Sequence, residues 1–121
     1  MSIANDIKAQ QILTTDDTPT NAAEGMTLPD DREGYAELTV IARSGADVKA
    51  FKFGAAVKRP SGGSAAIVGT VQDLITAQGD AGLAAAVATI VASGNDIVAE
   101  VTGIAATNIT WETWLTMLYA P

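Results

Sequence analysis

The stretch Tyr35-Ala36-Glu37-Leu38-Thr39-Val40-Ile41-Ala42-Arg43, the turn Ser44-Gly45-Ala46-Asp47 and the run from Val48 to Arg59 decide the fold class. In the first run Ala36, Leu38, Val40 and Ala42 face one way, while Glu37, Thr39 and Arg43 face the other. In the second, Phe51, Phe53, Ala55 and Val57 share a face opposite Lys52 and Lys58. A period of two is what a pleated strand needs to bury one side. Thr and Val in these positions fit a half-buried sheet. Both runs read as strands.

The same alternation recurs on the C-terminal side. Ile97, Ala99 and Val101 oppose Glu100 and Thr102, and Ile109, Trp111, Leu115, Met117 and Tyr119 lie opposite Thr110, Glu112, Trp114, Thr116 and Leu118. Turn-forming clusters punctuate the chain at Thr18-Pro19-Thr20-Asn21, Pro29-Asp30-Asp31, Pro60-Ser61-Gly62-Gly63, Gly79-Asp80, Ser93-Gly94-Asn95-Asp96 and Thr107-Asn108. Each supplies residues that tolerate positive φ or cap a turn with a side chain. Short runs between regular turns predict about seven or eight strands in a sandwich or barrel. They fall at about 9–15, 23–28, 35–43, 48–59, 65–76, 84–92, 96–103 and 108–119. The expected fold is all-β: a jelly-roll-like antiparallel β-sandwich, one domain over residues 9–121, preceded by an N-terminal arm over residues 1–8.

Two segments read less simply. Across Asp80–Ala92, Leu83, Val87, Ile90 and Val91 match a helical stripe, yet the same residues also alternate as a strand. Gly94-Asn95 followed directly by an alternating run favours a hairpin, so a strand is expected. At the start, Ser2–Lys8 is polar, with Ile3 and Ile7 one helical turn apart. Such termini are loose unless tied down; the alternative is an arm that docks on a neighbour.

The 121 residues include 7 Lys+Arg, 14 Asp+Glu, no Cys and no His, for a net charge of −7. Domains of roughly 100–150 residues are the commonest size, which fits one domain. Without Cys there is no disulfide framework, thiolate chemistry or Cys-based metal site. Without His the common general base and commonest metal ligand are gone. A pI near 4.2 argues against nucleic acid, whose binding requires Lys and Arg to displace counterions. The start has no basic region leading into an apolar one. The longest apolar stretch, Leu83–Ala92, falls well short of the ~20 residues a membrane span needs. The expectation is a soluble protein synthesised in the cytoplasm without a signal peptide, with neither nucleic acid nor membrane as partner.

Charge is unevenly spread. Residues 1–33 and the chain after Arg59 are each acidic, while Arg43, Lys49, Lys52, Lys58 and Arg59 make residues 34–59 basic. A basic middle between acidic flanks suits self-complementary pairing, within a subunit or between neighbours. An ordinary solvated face explains it equally well, since exposed ion pairs contribute only ~0–1 kcal/mol.

Motifs for chemistry are sparse. Asp16-Asp17 and Asp30-Asp31-x-Glu33 are carboxylate pairs of a kind that binds Ca²⁺, but both sit in turns where Asp caps backbone amides. Ser61-Gly62-Gly63-Ser64 lacks the Gly-Lys-Ser/Thr ending of a phosphate loop and reads as a flexible connection between strands. A Ser nucleophile needs a base, and Ser61 has only Lys58 nearby in sequence. Paired glycosidase carboxylates would need a cleft that short loops cannot build. No catalytic, cofactor-binding or metal residue is expected. Trp111 and Trp114 are three apart and so point to opposite faces of a strand. Trp114 and Leu118 on the outward side, with Ile3, Ile7 and Met26 elsewhere, are the expected partner contacts, unless a second layer of the same subunit covers them.

Several runs resemble a recurrent β-domain of tailed-bacteriophage virion proteins. They are Ala36–Arg43, Ala55-Ala56-Val57-Lys58-Arg59, Ala66-Ile67-Val68-Gly69-Thr70, Ala92–Gly103 and Asn108-Ile109-Thr110-Trp111. The likeness spans about residues 10–119, and its motifs are generic β-hairpins. It implies a strand ending in Val-Thr-Gly, a short turn, and an Ile-x-Trp strand whose Trp111 packs in the core. It also implies a structural domain of head fibres, tail fibres or capsid-surface proteins, commonly assembled as a homotrimer. Two features depart from the family: no repetitive shaft precedes the domain, and an Ala-rich stretch stands where a Trp often precedes the Gly-Asn hairpin. The expected role is a small head-decoration protein that binds the major capsid protein on the outer surface of the virion and stabilises the shell. The alternative is a receptor- or glycan-binding fibre domain, and a third reading is a small enzyme using carboxylates.

Overall fold

The computed structural model describes residues 4–120, with side chains from Asp6 onward. Strand accounts for 66% of the chain. The strands are β1 (Ala4–Thr14), β2 (Pro19–Asn21), β3 (Met26–Thr27), β4 (Arg32–Ser44), β5 (Asp47–Arg59), β6 (Ala66–Asp73), β7 (Gln78–Gly79), β8 (Val87–Ser93), β9 (Asp96–Thr102) and β10 (Ile109–Ala120). They form two antiparallel sheets packed as a sandwich, not closed into a barrel. The larger sheet runs β1-β10-β4-β5-β6, with short β7 also on β5. In the smaller one β9 is central, with β8 along one side and β2 and β3 along the other.

The period-two faces read from the sequence are the buried ones. Ala36, Leu38, Val40 and Ala42 of β4, Phe51, Phe53, Ala55 and Val57 of β5, and Ile97, Ala99 and Val101 of β9 all face a common core. At its centre Trp111 stacks on Phe51, centroids 6.3 Å apart, and Phe51 stacks on Phe53 at 5.9 Å. Such offset aromatic pairs add to the area that the rings bury. The Trp111 indole N–H donates to Thr14 Oγ1 at 2.9 Å, so β1 and β10 are joined through the core as well as along their backbones. Among the described residues no buried side-chain nitrogen or oxygen lacks a partner.

The structure corrects four expectations. The arm over 1–8 is strand from Ala4 onward, Ala4–Lys8 pairing with Tyr119–Leu115 of β10; Met1, Ser2 and Ile3 lie outside the described residues. The alternation there is masked because inward-facing Lys8 and Gln10 are polar. They sit at the margin of the sandwich, where Lys8 Nζ meets Glu24 Oε2 at 3.1 Å. Gln10 donates to the Glu24 carbonyl (2.6 Å) and accepts from the Glu24 N–H (2.9 Å).

Elsewhere, of the strand expected over 23–28 only Met26–Thr27 is paired, as β3, while a short strand, β2, forms at Pro19–Asn21 where a turn was expected. The strand expected over 84–92 starts only at Val87, after a 3₁₀ turn at Ala81–Leu83 that buries Leu83. The Ser61–Ser64 connection is anchored, not flexible. Arg59 Nε donates to Gly63 O and its Nη1 to Leu28 O, both at 3.0 Å, and the Gly62 N–H donates to Asp30 Oδ1 at 2.9 Å.

Candidate partner-binding surface

Among the described residues, no second layer of the same subunit covers the outward face of the larger sheet. Register places its side chains in rows across the strands. Trp114 lies beside Ala9 of β1 and Thr39 of β4; Leu118 lies beside Tyr35 of β4, which in turn neighbours Ala56 of β5. Ile7 is opposite Thr116, between those two rows. The result is an apolar patch on which Leu118 is 46% and Ile7 66% exposed, with Tyr35 exposed and Trp114 half-buried. Polar Thr116 and Glu37 lie beside Ile7 in the row between the other two, and the Glu112–Arg43 ion pair borders the Trp114 end.

Gly54 shapes this face. It is buried on β5, and a Cβ there would collide with the Tyr35 hydroxyl. The missing side chain lets the Tyr35 ring lie down across β5, an aromatic covering a strand glycine. Partial burial first, then the neighbouring Glu37 carboxylate, raise the Tyr35 phenol above its ordinary pKa.

Of the expected contacts, Ile7, Trp114 and Leu118 are brought together on this face. Ile3 lies outside the described residues. Met26 is corrected: it is 5% exposed, because β3 pairs Met26 with Ile97 of β9 and turns it, like Leu28, into the core. Leu13 and Tyr35 were missed. Leu13 is 70% exposed and shares the outward side of β1 with Ile7, Ala9 and Gln11. Continuing the alternation of 9–15 back through Ile7 would have found that row.

The basic middle of the sequence is largely satisfied within the chain. Arg43 pairs with Glu112, Arg59 lies 3.9 Å from Asp30, and Lys49 donates to the carbonyls of Ala84 (3.0 Å) and Ala86 (2.8 Å) while lying over the Phe51 ring. Of the carboxylate pairs, Asp16 caps a turn, its Oδ1 accepting the Thr18 N–H at 2.9 Å, while Asp30 ties its loop to Gly62, 32 residues away. Ser61 and Lys58 are both exposed. Among the described residues no three of His, Cys, Asp and Glu converge as a metal set, and no helix is long and apolar enough to cross a membrane.

On the far side of the sandwich, where β6 and β8 are not paired, a cavity of about 240 Å³ opens between Phe51, Phe53, Ile75 and Val87, with Lys52 and Asp73 at its rim. It is below the ~300–1,000 Å³ usual for small-molecule sites. On β10, Tyr119 donates to the Asp6 carboxylate of β1. Burial first, then that hydrogen bond and the Asp6 charge, push its phenol up to about 12.

Comparison with known proteins gives no match: no family model, no curated protein and no solved structure corresponds to this chain. The likeness to tailed-phage virion domains therefore rests on the sequence alone.

Proposed function

We propose that this protein is a non-enzymatic structural component of a tailed-bacteriophage virion, a head-decoration protein that binds the major capsid protein on the outside of the shell. The observation that carries the reading is the apolar patch of Trp114, Leu118 and Tyr35 on an otherwise uncovered sheet face. Exposed apolar and aromatic side chains gathered on one face, with polar side chains among them, are the composition of a protein–protein contact. The sequence likeness supplies the kind of partner. Repetition over a lattice supplies the strength, since identical modest contacts gain avidity when many are engaged together. None of this requires a reactive side chain.

Copy number in purified virions and co-sedimentation with empty expanded capsids test the proposal. Hundreds of copies per particle, with binding reduced at least tenfold by Leu118→Lys at unchanged β-sheet circular dichroism, are the expected results. A handful of copies per particle, or adsorption to host cells in place of capsids, would overturn it in favour of a fibre domain.

A further inference from the structure

We infer that β1 is a contact through which a second copy of this chain pairs, antiparallel, about Gln10. The inference goes beyond the decoration role and does not depend on it, because the strand carries the same features whether or not a capsid is present.

β1 is the terminal strand of the larger sheet, and among the described residues no strand lies on its other side. It runs 11 residues in unbroken register with β10. Natural edges are usually blunted by bulges, prolines or charged side chains; β1 has no bulge or proline, and the charge of its inward-facing Lys8 is engaged by Glu24. Its one acid and one base, Asp6 and Lys8, cancel. In a chain of net charge −7 this is a border that two copies can approach without like charges meeting.

Its side chains then select a register. Ile7 and Leu13 are the two most exposed large apolar residues among those described, at 66% and 70%. They share the outward face and lie three residues either side of Gln10. An antiparallel pair with its two-fold axis at Gln10 sets Ile7 of one copy against Leu13 of the other, twice, and Ala9 against Gln11, twice. Directly opposed apolar pairs are the unit of sheet stabilisation. In that register Lys8 faces Ile12 and Asp6 faces Thr14.

The neighbouring registers are worse. Centring on Lys8 or on Asp6 opposes like charges. A centre at Ala9 sets Ile7 against Gln11, and a centre at Ile7 leaves Leu13 without a described partner. The Gln10 side chain, already holding the Glu24 backbone from both ends, brings no unpaired amide to the axis. The pairing continues the larger sheet through both copies, and by symmetry it closes at two.

The chain contains no Cys, which makes a clean crosslinking test. Purified full-length protein is expected to be a dimer by light scattering. The double variant Ile7→Cys/Leu13→Cys is expected to form a covalent dimer under mild oxidation, and neither single variant is. Ile7→Lys/Leu13→Lys is expected to weaken dimerisation at least tenfold with unchanged β-sheet circular dichroism. A monomer at millimolar concentration, or the trimer that the sequence resemblance implies, would overturn the inference. So would a covalent dimer from Ile7→Cys alone, which would place the axis elsewhere. Capsid binding by a strictly monomeric protein would defeat this inference and leave the decoration role standing.

Discussion

The two margins of the larger sheet end in opposite ways. At β1 the register is unbroken, and side chains clasp the strand to the rest of the sandwich: Lys8 and Gln10 on Glu24, Trp111 on Thr14, Tyr119 on Asp6. At β6 the register with β5 breaks between Gly54 and Ala56, and Gly69 adopts φ +74°. The gap beneath it is left as the cavity over Phe51 and Phe53. One margin is clasped by polar side chains and presents a regular strand border; the other is irregular along its border and lacks such clasps. A bulge spoils an edge as a template for further pairing. The side-chain clasps at β1 fix the strand in place without masking its backbone. Only the β1 margin is therefore suited to accept another strand.

Three substitutions probe this contrast. The largest effect is expected from Trp111→Ala, which empties the core beside Phe51 and removes the indole donor to Thr14. Loss of a buried Trp costs about 3–5 kcal/mol, measured as a fall in the urea midpoint, with hydrogen exchange in β1 accelerated beyond that in β6. If β6 opened first instead, the claim that Trp111 anchors the β1 margin would fail.

A smaller effect, about 1–2 kcal/mol, is expected from Gly69→Ala, because positive φ strains any residue with a Cβ. No other atom lies within 4 Å of the added methyl position, so chemical denaturation reads backbone strain alone. A neutral result would remove the bulge glycine as the device that bends the β6 border.

The smallest effect is expected from Tyr119→Phe, and its signature is a pH dependence. The folded-state phenol titrates at about 12 against an ordinary 10, so the folded protein holds its proton more tightly than the unfolded chain. The associated stability is complete below pH 10 and is lost as pH rises towards 12. Denaturant midpoints at pH 8, 10 and 11 should fall less steeply for Tyr119→Phe than for the parent. The variant should keep the part that Tyr35, whose pKa is also raised, contributes. Equal slopes would show that Asp6 and Tyr119 do not clasp the strand in solution.

The contrast also explains what could be read from the sequence. β4, β5, β9 and β10 are half-buried along their whole length, so strict alternation located them to within a few residues. Elements at the margins obey weaker rules. The start of β1 faces inward with Lys8 and Gln10, whose polar ends are satisfied by Glu24, 14 residues or more along the chain. That partnership has no local signature. Met26 looked like exposed apolar surface because β3 is only two residues long, too short for a period to show. The Ala-rich 84–86 segment follows a 3₁₀ turn whose one buried side chain is Leu83; its composition supports helix and strand alike. For the candidate surface, alternation in β10 placed Trp114 and Leu118 correctly, whereas Leu13 and Tyr35 needed the strand register to join them.

The position of β10 between β1 and β4 governs the order in which the molecule can be assembled. β1 is made first, yet its only neighbour in the sheet is made last: Ala4 stands beside Tyr119. During synthesis the first strand is without a sheet partner until nearly all the rest has emerged, and β4 meanwhile has β5 alone. Pairings so distant along the chain are slow to form. Chains in which β10 has not yet formed would thus hold β1 unengaged, which makes the pairing of β10 the step that commits the fold.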